Sequence, residues 1–457
     1  MSAPVDYERL VDPRTGLLTS VDRLPHDPVW PGSLVMTVGQ VAHIGRQLPW
    51  PADRASTGTA FDDETAARRA AIGEAVERYC GNFIPAGLRR ASYAELAAAG
   101  EPAVDPATLC LYSPRQYAHP GSPFVPFTAD LPVLWARGYR LRDRAPVWVP
   151  ASLVWVNYFV GPRAAEPRTN FVLYAGIAAG AGRADAERSA LEEIIERDAT
   201  EIWWRAGGPG IGLDPTASPR AAAAFGTARP SPLRYSCVLV PSVFGVPVVG
   251  VLAVDPDHDV VGLGLAARPD PVDALRKALA EAVSLRSYAL GLADPEGTIW
   301  QAIAAGMVDG TPFKPWRADR AYLDSYRPDF RDVLDLGCQS QVYLDPRTRP
   351  WLTHLAAPPG TVSLGDVPAV AGDPRQAYLD RLAAEGIEAY GVDLTTPDVA
   401  AAGLSVVRVV APGTYSNAPA GLGFLGGRRQ YTEPARLGWT DRELTEDDLR
   451  VHPIPHT

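Results

Sequence analysis

Lysine is nearly missing from this 457-residue chain: Lys277 and Lys314 are the only two, and every other basic residue is arginine. No GxxxxGK[S/T] stretch occurs, which excludes a standard P-loop for nucleotide chemistry. Basic charge is in deficit overall, with 43 Lys plus Arg against 53 Asp plus Glu, a formal charge of −10. A binder of nucleic-acid phosphates normally carries a basic stripe that displaces counterions, so nucleic acid is a poor partner. The four cysteines, Cys80, Cys110, Cys237 and Cys338, form no CxxC and lie far apart, which argues against a disulfide frame or a zinc ribbon. Each reads as a buried, reduced thiol. There is no HExxH and no GxSxG, so zincin and hydrolase readings have no anchor. The first residues, MSAPVDYERL, lack the basic and apolar regions of a secretory signal, and the cytoplasm is the expected location.

Charge is also absent from residues 235–254, but Pro241, Gly245, Pro247 and Gly250 punctuate that run. It reads as two short strands around a PSVFGVP turn rather than a membrane span. GLGFLGG at 421–427 fits GxGxxG and GLGLAA at 262–267 nearly does. A dinucleotide fingerprint needs a helix opening within the glycines, and Pro269 and Pro271 delay any helix after the second, so both read as glycine turns. Asp255 and His258, in DPDHD, read as a turn between strands.

Hydrophobic residues make up 46% of the chain and charged residues 21%, enough for a large core. Helical periodicity covers residues 62–80, 185–204 and 273–290, with a short amphipathic helix in RQAYLDRLAAEG at 375–386. SLVMTVGQVAHI, VWVPASLVWVNYF, TNFVLYAGIAAG, VSLGDVPAV, IEAYGVDLT and LSVVRVVAPG read as strands. No flexible linker or low-complexity tract interrupts them. The expected organisation is a strand-containing extension over 1–50 and one large α/β or α+β domain over 51–457.

Two helices share a pattern. GEAVER at 73–78 and LEEIIER at 191–197 each supply two glutamates three residues apart and an arginine immediately after. On a helix Glu74, Glu77 and Arg78 share one face, and so do Glu193, Glu196 and Arg197. A solvated face with i,i+4 pairs is the plain reading. The company differs from such a face: Ala67, Ala70 and Ala71 flank the first pair, Ala186, Ser189 and Ala190 the second. Small residues let another element or a ligand approach closely. The opposite faces, Ile72, Val76 and Tyr79 and Leu191, Ile195 and Ile202, serve a core. Four carboxylates converging in a cleft repel one another unless a cation sits among them. An all-oxygen donor set points to Mg2+, which usually brings a phosphate group, and Arg78 and Arg197 are positioned to contact phosphate oxygens.

These residues resemble the YcaO family of ATP-dependent enzymes that activate peptide amides. The resemblance runs from about residue 51 to the end and is carried by AAIGEAVERYCG at 70–81, YAGIAAGAGRADAERSALEEIIERDATEIWW at 174–204, ALRKALAEAVSLR at 274–286 and VDLTTPDVAAAGLSVVRVVAPG at 392–413. It implies a single α+β domain with mixed sheets and ATP-binding helices. It implies ATP and Mg2+ as cofactors, with metal ligands Glu74, Glu77, Glu193 and Glu196. The nucleotide contacts would be Glu74, Arg78, Asp185, Glu193, Arg197 and Arg286, with Glu281 a weaker companion. The tail RVHPIPHT resembles the Pro-x-Pro-x-Pro terminus of azoline-forming members, which implies catalytic roles for Pro455 and Arg286. Family features are missing elsewhere: Ala175 and Gly176 replace an NG pair, Ala181 and Gly182 replace Asn-Ser, and STGTAF at 56–61 carries no lysine.

The resemblance is to stand-alone cyclodehydratase components of ribosomal peptide natural product biosynthesis, which turn Cys, Ser or Thr of a precursor into thiazolines or oxazolines. It implies a precursor peptide as substrate, a separate leader-peptide-binding protein as partner, and a homodimer. Thioamide-forming and macroamidine-forming enzymes, or a non-catalytic scaffold of the same fold, are the alternatives.

Overall fold

Near the N-terminus β1 (Leu18–Arg23), β2 (Leu34–Val41) and β3 (Ala55–Phe61) form an antiparallel three-stranded sheet, so pairing crosses the boundary at residue 50. The computed structural model describes residues 5–456 except 44, 46, 47, 49, 51, 228 and 229. Ile44, which ends the first expected strand, and Pro51, where the large domain was expected to begin, lie outside the described residues. Helix α1 (Glu64–Cys80) follows; Asp63 caps it, its side chain accepting from the Ala66 N–H at 2.9 Å. Ile72 and Val76 are fully buried, as their face requires.

A second sheet is assembled from distant segments. Its strands β4 (Arg89–Ala91), β5 (Val133–Arg140), β6 (Pro146–Pro150) and β7 (Ile177–Gly180) precede α2 (Arg183–Arg205). The third sheet comes next in the chain: β8 (Ile211–Asp214), β9 (Arg234–Leu239), β10 (Val248–Asp255), β11 (Val260–Ala267) and, after helix α3 (Pro271–Ala293), β12 (Gly360–Ser363). Its order is β11-β10-β9-β8-β12, antiparallel except where β12 runs beside β8. Helix α4 (Pro374–Ala384), β13 (Tyr390–Asp393) and β14 (Ser405–Val410) complete the second sheet in the order β4-β5-β13-β14-β7, with β6 on β5. Helix α2 packs on β7 and β14 and also on β11, and is therefore gripped by both large sheets. Its apolar residues Leu191, Ile195 and Trp203 join those of β10, β11 and β14 in one core. This is a single domain of mixed helices and sheets.

The small residues beside the glutamates seat strands. A Cβ at Gly58 of β3 would fall 2.0 Å from the Ala67 carbonyl oxygen and 2.3 Å from the Ala71 nitrogen of α1. Gly180, closing β7, has the same relation to Ala186 of α2, at 2.5 Å from its nitrogen. Gly264 repeats it on α3, where a Cβ would lie 2.0 Å from the Ala278 carbonyl oxygen. GLGLAA is accordingly not a turn but the greater part of β11, lying flat on α3.

Three expected strands are shorter than their apolar runs. VWVPASLVWVNYF pairs only to Pro150 and then turns at Ala151–Leu153, and TNFVLYAGIAAG pairs only from Ile177. The cause is Arg408 of β14, a buried cation in an apolar strand. It donates to the carbonyls of Val154 at 2.9 Å, Leu173 at 2.8 Å and Ala175 at 2.6 Å, while the Asn170 amide takes Ser152 at 3.1 Å. Side chains satisfy these carbonyls, so no neighbouring strand is needed. VSLGDVPAV likewise leaves its strand at Ser363, which caps the turn Leu364–Asp366. The DPDHD segment is the expected turn, between β10 and β11. The four cysteines are free thiols, three of them buried and Cys110 partly so. Among the described residues no helix is long and apolar enough to cross a membrane.

Candidate functional site

Each glutamate of the two paired motifs is fixed by a backbone N–H of the strand beside its helix. Glu74 accepts from Thr57 on β3 at 2.8 Å, and Glu77 from Ala179 on β7 at 2.8 Å. Glu193 accepts from Gly176, just before β7, at 2.9 Å, and Glu196 from Ala267, ending β11, at 3.2 Å. The helix supplies the carboxylate and the strand that packs on it supplies the donor. One oxygen of each group is anchored, and in Glu196 the other, Oε1, is buried without a hydrogen-bond partner.

The carboxylates act on one another. Burial, with repulsion from Glu193 and Glu74, pushes Glu77 up to about 8 against the pull of the Ala179 N–H. The glutamates of α1 and α2 therefore lie near enough to repel one another. Burial also raises Glu196, with Glu281 of α3 and Glu193 adding repulsion against Arg197 and Arg268. Glu281 is partly buried, yet Lys277 at 2.7 Å, with His456 and Arg197, holds it well below the usual carboxylate range. The cluster thus extends from Glu74 through Glu77, Glu193 and Glu196 to Glu281 on a third helix.

The arginines are engaged otherwise than as i,i+4 partners. Arg78 pairs with Asp53 at 3.4 Å and lies over the Tyr174 ring. Arg197 lies 3.4 Å from Glu196 and contacts Nε2 of His456, its own Nε being buried without a partner. Asp185, on the first turn of α2, accepts from the Ala181 N–H at 3.1 Å and from Arg188 at 2.6 Å. Arg286 is not brought into the set: it is buried against Asp255, at 2.9 and 2.5 Å, and Asp27, at 3.0 Å. Its helix face was legible, but two carboxylates from other segments occupy all three of its nitrogens.

The C-terminal tail is part of the interior. Trp204 donates to the His452 carbonyl at 2.8 Å, Tyr343 to Pro453 at 2.6 Å, the Leu263 N–H to Pro455 at 3.1 Å and Gln339 to His456 at 2.7 Å. Pro455 thereby contributes a carbonyl that pins the tail on β11, and the next residue, His456, reaches the carboxylates. Burial beside Arg197 pulls His456 down to about 4, so its ring is neutral. His456, Lys277 and Arg408 are the site residues that sequence reasoning passed over. Arg408 alone left a signal, a charge inside an apolar strand.

The donor set fits a divalent cation with a phosphate ligand. Five carboxylates are gathered, two of them driven toward neutrality by burial and mutual repulsion, and an unpartnered oxygen is aimed inward. Arg197, 3.4 Å from Glu196, and Lys277, 2.7 Å from Glu281, are fixed positive charges beside this set.

The model of the family described as YcaO cyclodehydratase, ATP- and Mg2+-binding, matches residues 58–415. No curated protein matches the chain. Among solved structures, a heterocyclase in complex with substrate and cofactor aligns over 98% of this chain and 56% of its own, with 21% identity and a TM-score of 0.67. The heterocyclase TruD aligns over 85% and 50%, with 21% identity and a TM-score of 0.59. A Methanopyrus kandleri protein bound with AMPPCP and Mg2+ aligns over 88% and 90%, with 20% identity and a TM-score of 0.53. The chain spans about half the length of the two heterocyclases, and at these identities the likeness is one of fold.

Proposed function

The chain belongs to the YcaO family, whose cofactors are ATP and Mg2+, and from that premise we propose that it activates backbone amides of a precursor peptide by phosphorylation. The reaction is cyclodehydration of Cys, Ser or Thr to thiazolines or oxazolines. The observation that supports the reading is the gathering of Glu74, Glu77, Glu193 and Glu196, each with one oxygen tied to a strand N–H and, in Glu196, the other buried without a partner.

ATP, held with Mg2+, supplies the phosphoryl group that makes the amide oxygen a leaving group. The glutamates of α1 and α2 hold the cation, and Arg197 balances charge on the phosphates. Asp185 and Arg78 lie at the N-terminal turn of α2 and the C-terminal turn of α1, where they orient the nucleotide. The substrate's own side chain adds to its preceding carbonyl carbon, and departure of phosphate leaves the ring; no nucleophile of the enzyme is consumed. The protein's contribution is position and a preset electrostatic field. Arg286 belongs to the scaffold in this reading and Pro455 orients the tail.

A cavity of about 1240 Å3 offers room for the peptide. Trp155, Tyr158 and Phe171 line it together with Arg168, Arg205 and Arg450, and residues 449–451 of the tail form part of its wall. The tail thus runs from the cavity to the cluster. Leader docking falls to a separate partner protein.

The test is mass spectrometry of a precursor incubated with this protein, its partner, ATP and Mg2+. Loss of one water per modified residue is expected, and Glu193→Gln should lower the rate by roughly a hundredfold or more. Exchange of oxygen for sulfur would reassign the chain as a thioamide-forming enzyme, and one water lost with a terminal amine consumed as a macroamidine-forming one. No ATP consumption, with Glu74→Gln and Glu193→Gln changing nothing, would leave only a scaffold.

A further inference from the structure

Three side chains from three separate elements meet at the inner end of the cluster: Glu196 of α2, Glu281 of α3 and His456 of the tail. One ligand atom of each lies within 4.8 Å of the others, a spacing that a small shift brings to a shared ion. Two further observations point to a ligand there. Glu196 is 4% exposed, and its Oε1, turned into this space, has no hydrogen-bond partner. The imidazole is set as metal-bound imidazoles are: Nδ1 lies 2.9 Å from the Leu263 carbonyl, which can only accept, so the proton is on Nδ1 and the Nε2 lone pair faces the acidic groups. A guanidinium nitrogen of Arg197 sits against both Nε2 and Glu196, so the spot already attracts positive charge. That guanidinium is poorly seated, because its Nε is buried without a partner.

We propose that Glu196, Glu281 and His456 form a mixed oxygen and nitrogen cation site that takes a divalent transition-metal ion, such as Mn2+, more readily than Mg2+. An imidazole nitrogen strengthens binding of first-row transition ions, whereas Mg2+ favours oxygen donors and keeps its waters. The entering ion displaces Arg197 from between Nε2 and Oε1 and frees its guanidinium for an anionic ligand. The inference rests on the reading above only in taking Glu196 as a cation ligand.

The experiment is Mn2+ titration of the full-length chain, with pulsed electron paramagnetic resonance of the bound ion and competition by Mg2+. Nitrogen modulation from a bound imidazole is expected in the unmodified protein, changing when the histidines carry 15N. His456→Gln should abolish it and weaken Mn2+ binding roughly tenfold or more, with Mg2+ affinity nearly unchanged. The spectrum of the unmodified protein needs no variant, so a tail that misfolds in His456→Gln does not blunt the test, and Glu281→Gln should weaken Mn2+ binding as well. All-oxygen coordination, equal Mn2+ affinity in His456→Gln, or no Mn2+ bound at all would each overturn the site. ATP consumption under Mg2+ alone, measured on the same preparation, separates that outcome from failure of the proposed activity.

Discussion

Without a cation, the carboxyl of Glu77 is a liability above neutral pH. Burial, with repulsion from Glu193 and Glu74, raises it from its ordinary 4.5 to about 8. The folded chain therefore holds a proton that the unfolded chain has already released. Stability from this group is full below pH 4.5 and is lost as the pH rises through about 8. At ~1.4 kcal/mol per pH unit the loss is capped at about 5 kcal/mol, and because Glu77 keeps some contact with solvent, about 2 kcal/mol is the expected size. Glu77→Gln cannot ionise, yet its amide oxygen can still accept from Ala179. In chelator the variant should match the parent at pH 4.5 and melt higher at pH 8.5, by ~2 °C at the roughly 1 °C per kcal/mol that chain length implies. Mg2+ with a nucleotide should reverse the order, raising the melting temperature of the parent and leaving the variant unmoved. Scanning calorimetry at the two pH values reads both effects. An equal shift at both, or a variant less stable at pH 8.5, would refute the reasoning by showing that Glu77 ionises freely in the fold.

Asp255→Ala leaves Arg286 buried with only Asp27 and should cost about 3–5 kcal/mol in urea unfolding. Burial works against the Asp255 charge, but Arg286 and His258 hold its carboxyl below the usual 3.8, so in the parent this contribution should vanish only as the pH falls through that lowered value. Gly264→Val drives a branched side chain into the backbone of α3 and should yield insoluble protein, with Val254→Ile as a soluble control on the neighbouring strand. Deleting residues 452–457 removes the His452 ring stacked on Trp351 at 3.9 Å and the pinned tail beyond it; ATP consumption should fall at least tenfold, read by phosphate release.

The parts of the site legible in the sequence were those written locally. Glu74, Glu77, Glu193 and Glu196 could be placed on two faces because a 3.6-residue period fixes which side chains share a side. The core faces with Ile72 and Leu191 followed from the same period. Partners are set by chain crossings that no period encodes. Arg286 was legible as a helix cation but not as the mate of Asp255 and Asp27, and Ala67 and Ala71 were legible as a close-contact stripe without naming Gly58 as what lies on it. The overlong strands near Val154 and Leu173 have the same origin, since the residue that satisfies their carbonyls, Arg408, is more than two hundred positions away. His456 was hidden most completely: only the path of the tail along β11 brings it to Arg197.

Because amide hydrogens of Thr57, Gly176, Ala179 and Ala267 hold the acidic groups, the spacing of those groups is written in peptide planes rather than in neighbouring side chains. Sequence drift around the site can therefore be wide while its metric stays constant. Proline is the one replacement that deletes such a donor outright, and Gly176, at a φ of 88°, tolerates little else. A saturation library at exposed Thr57 should accept many residues and reject proline, whereas fully buried Ala267 should keep only small ones.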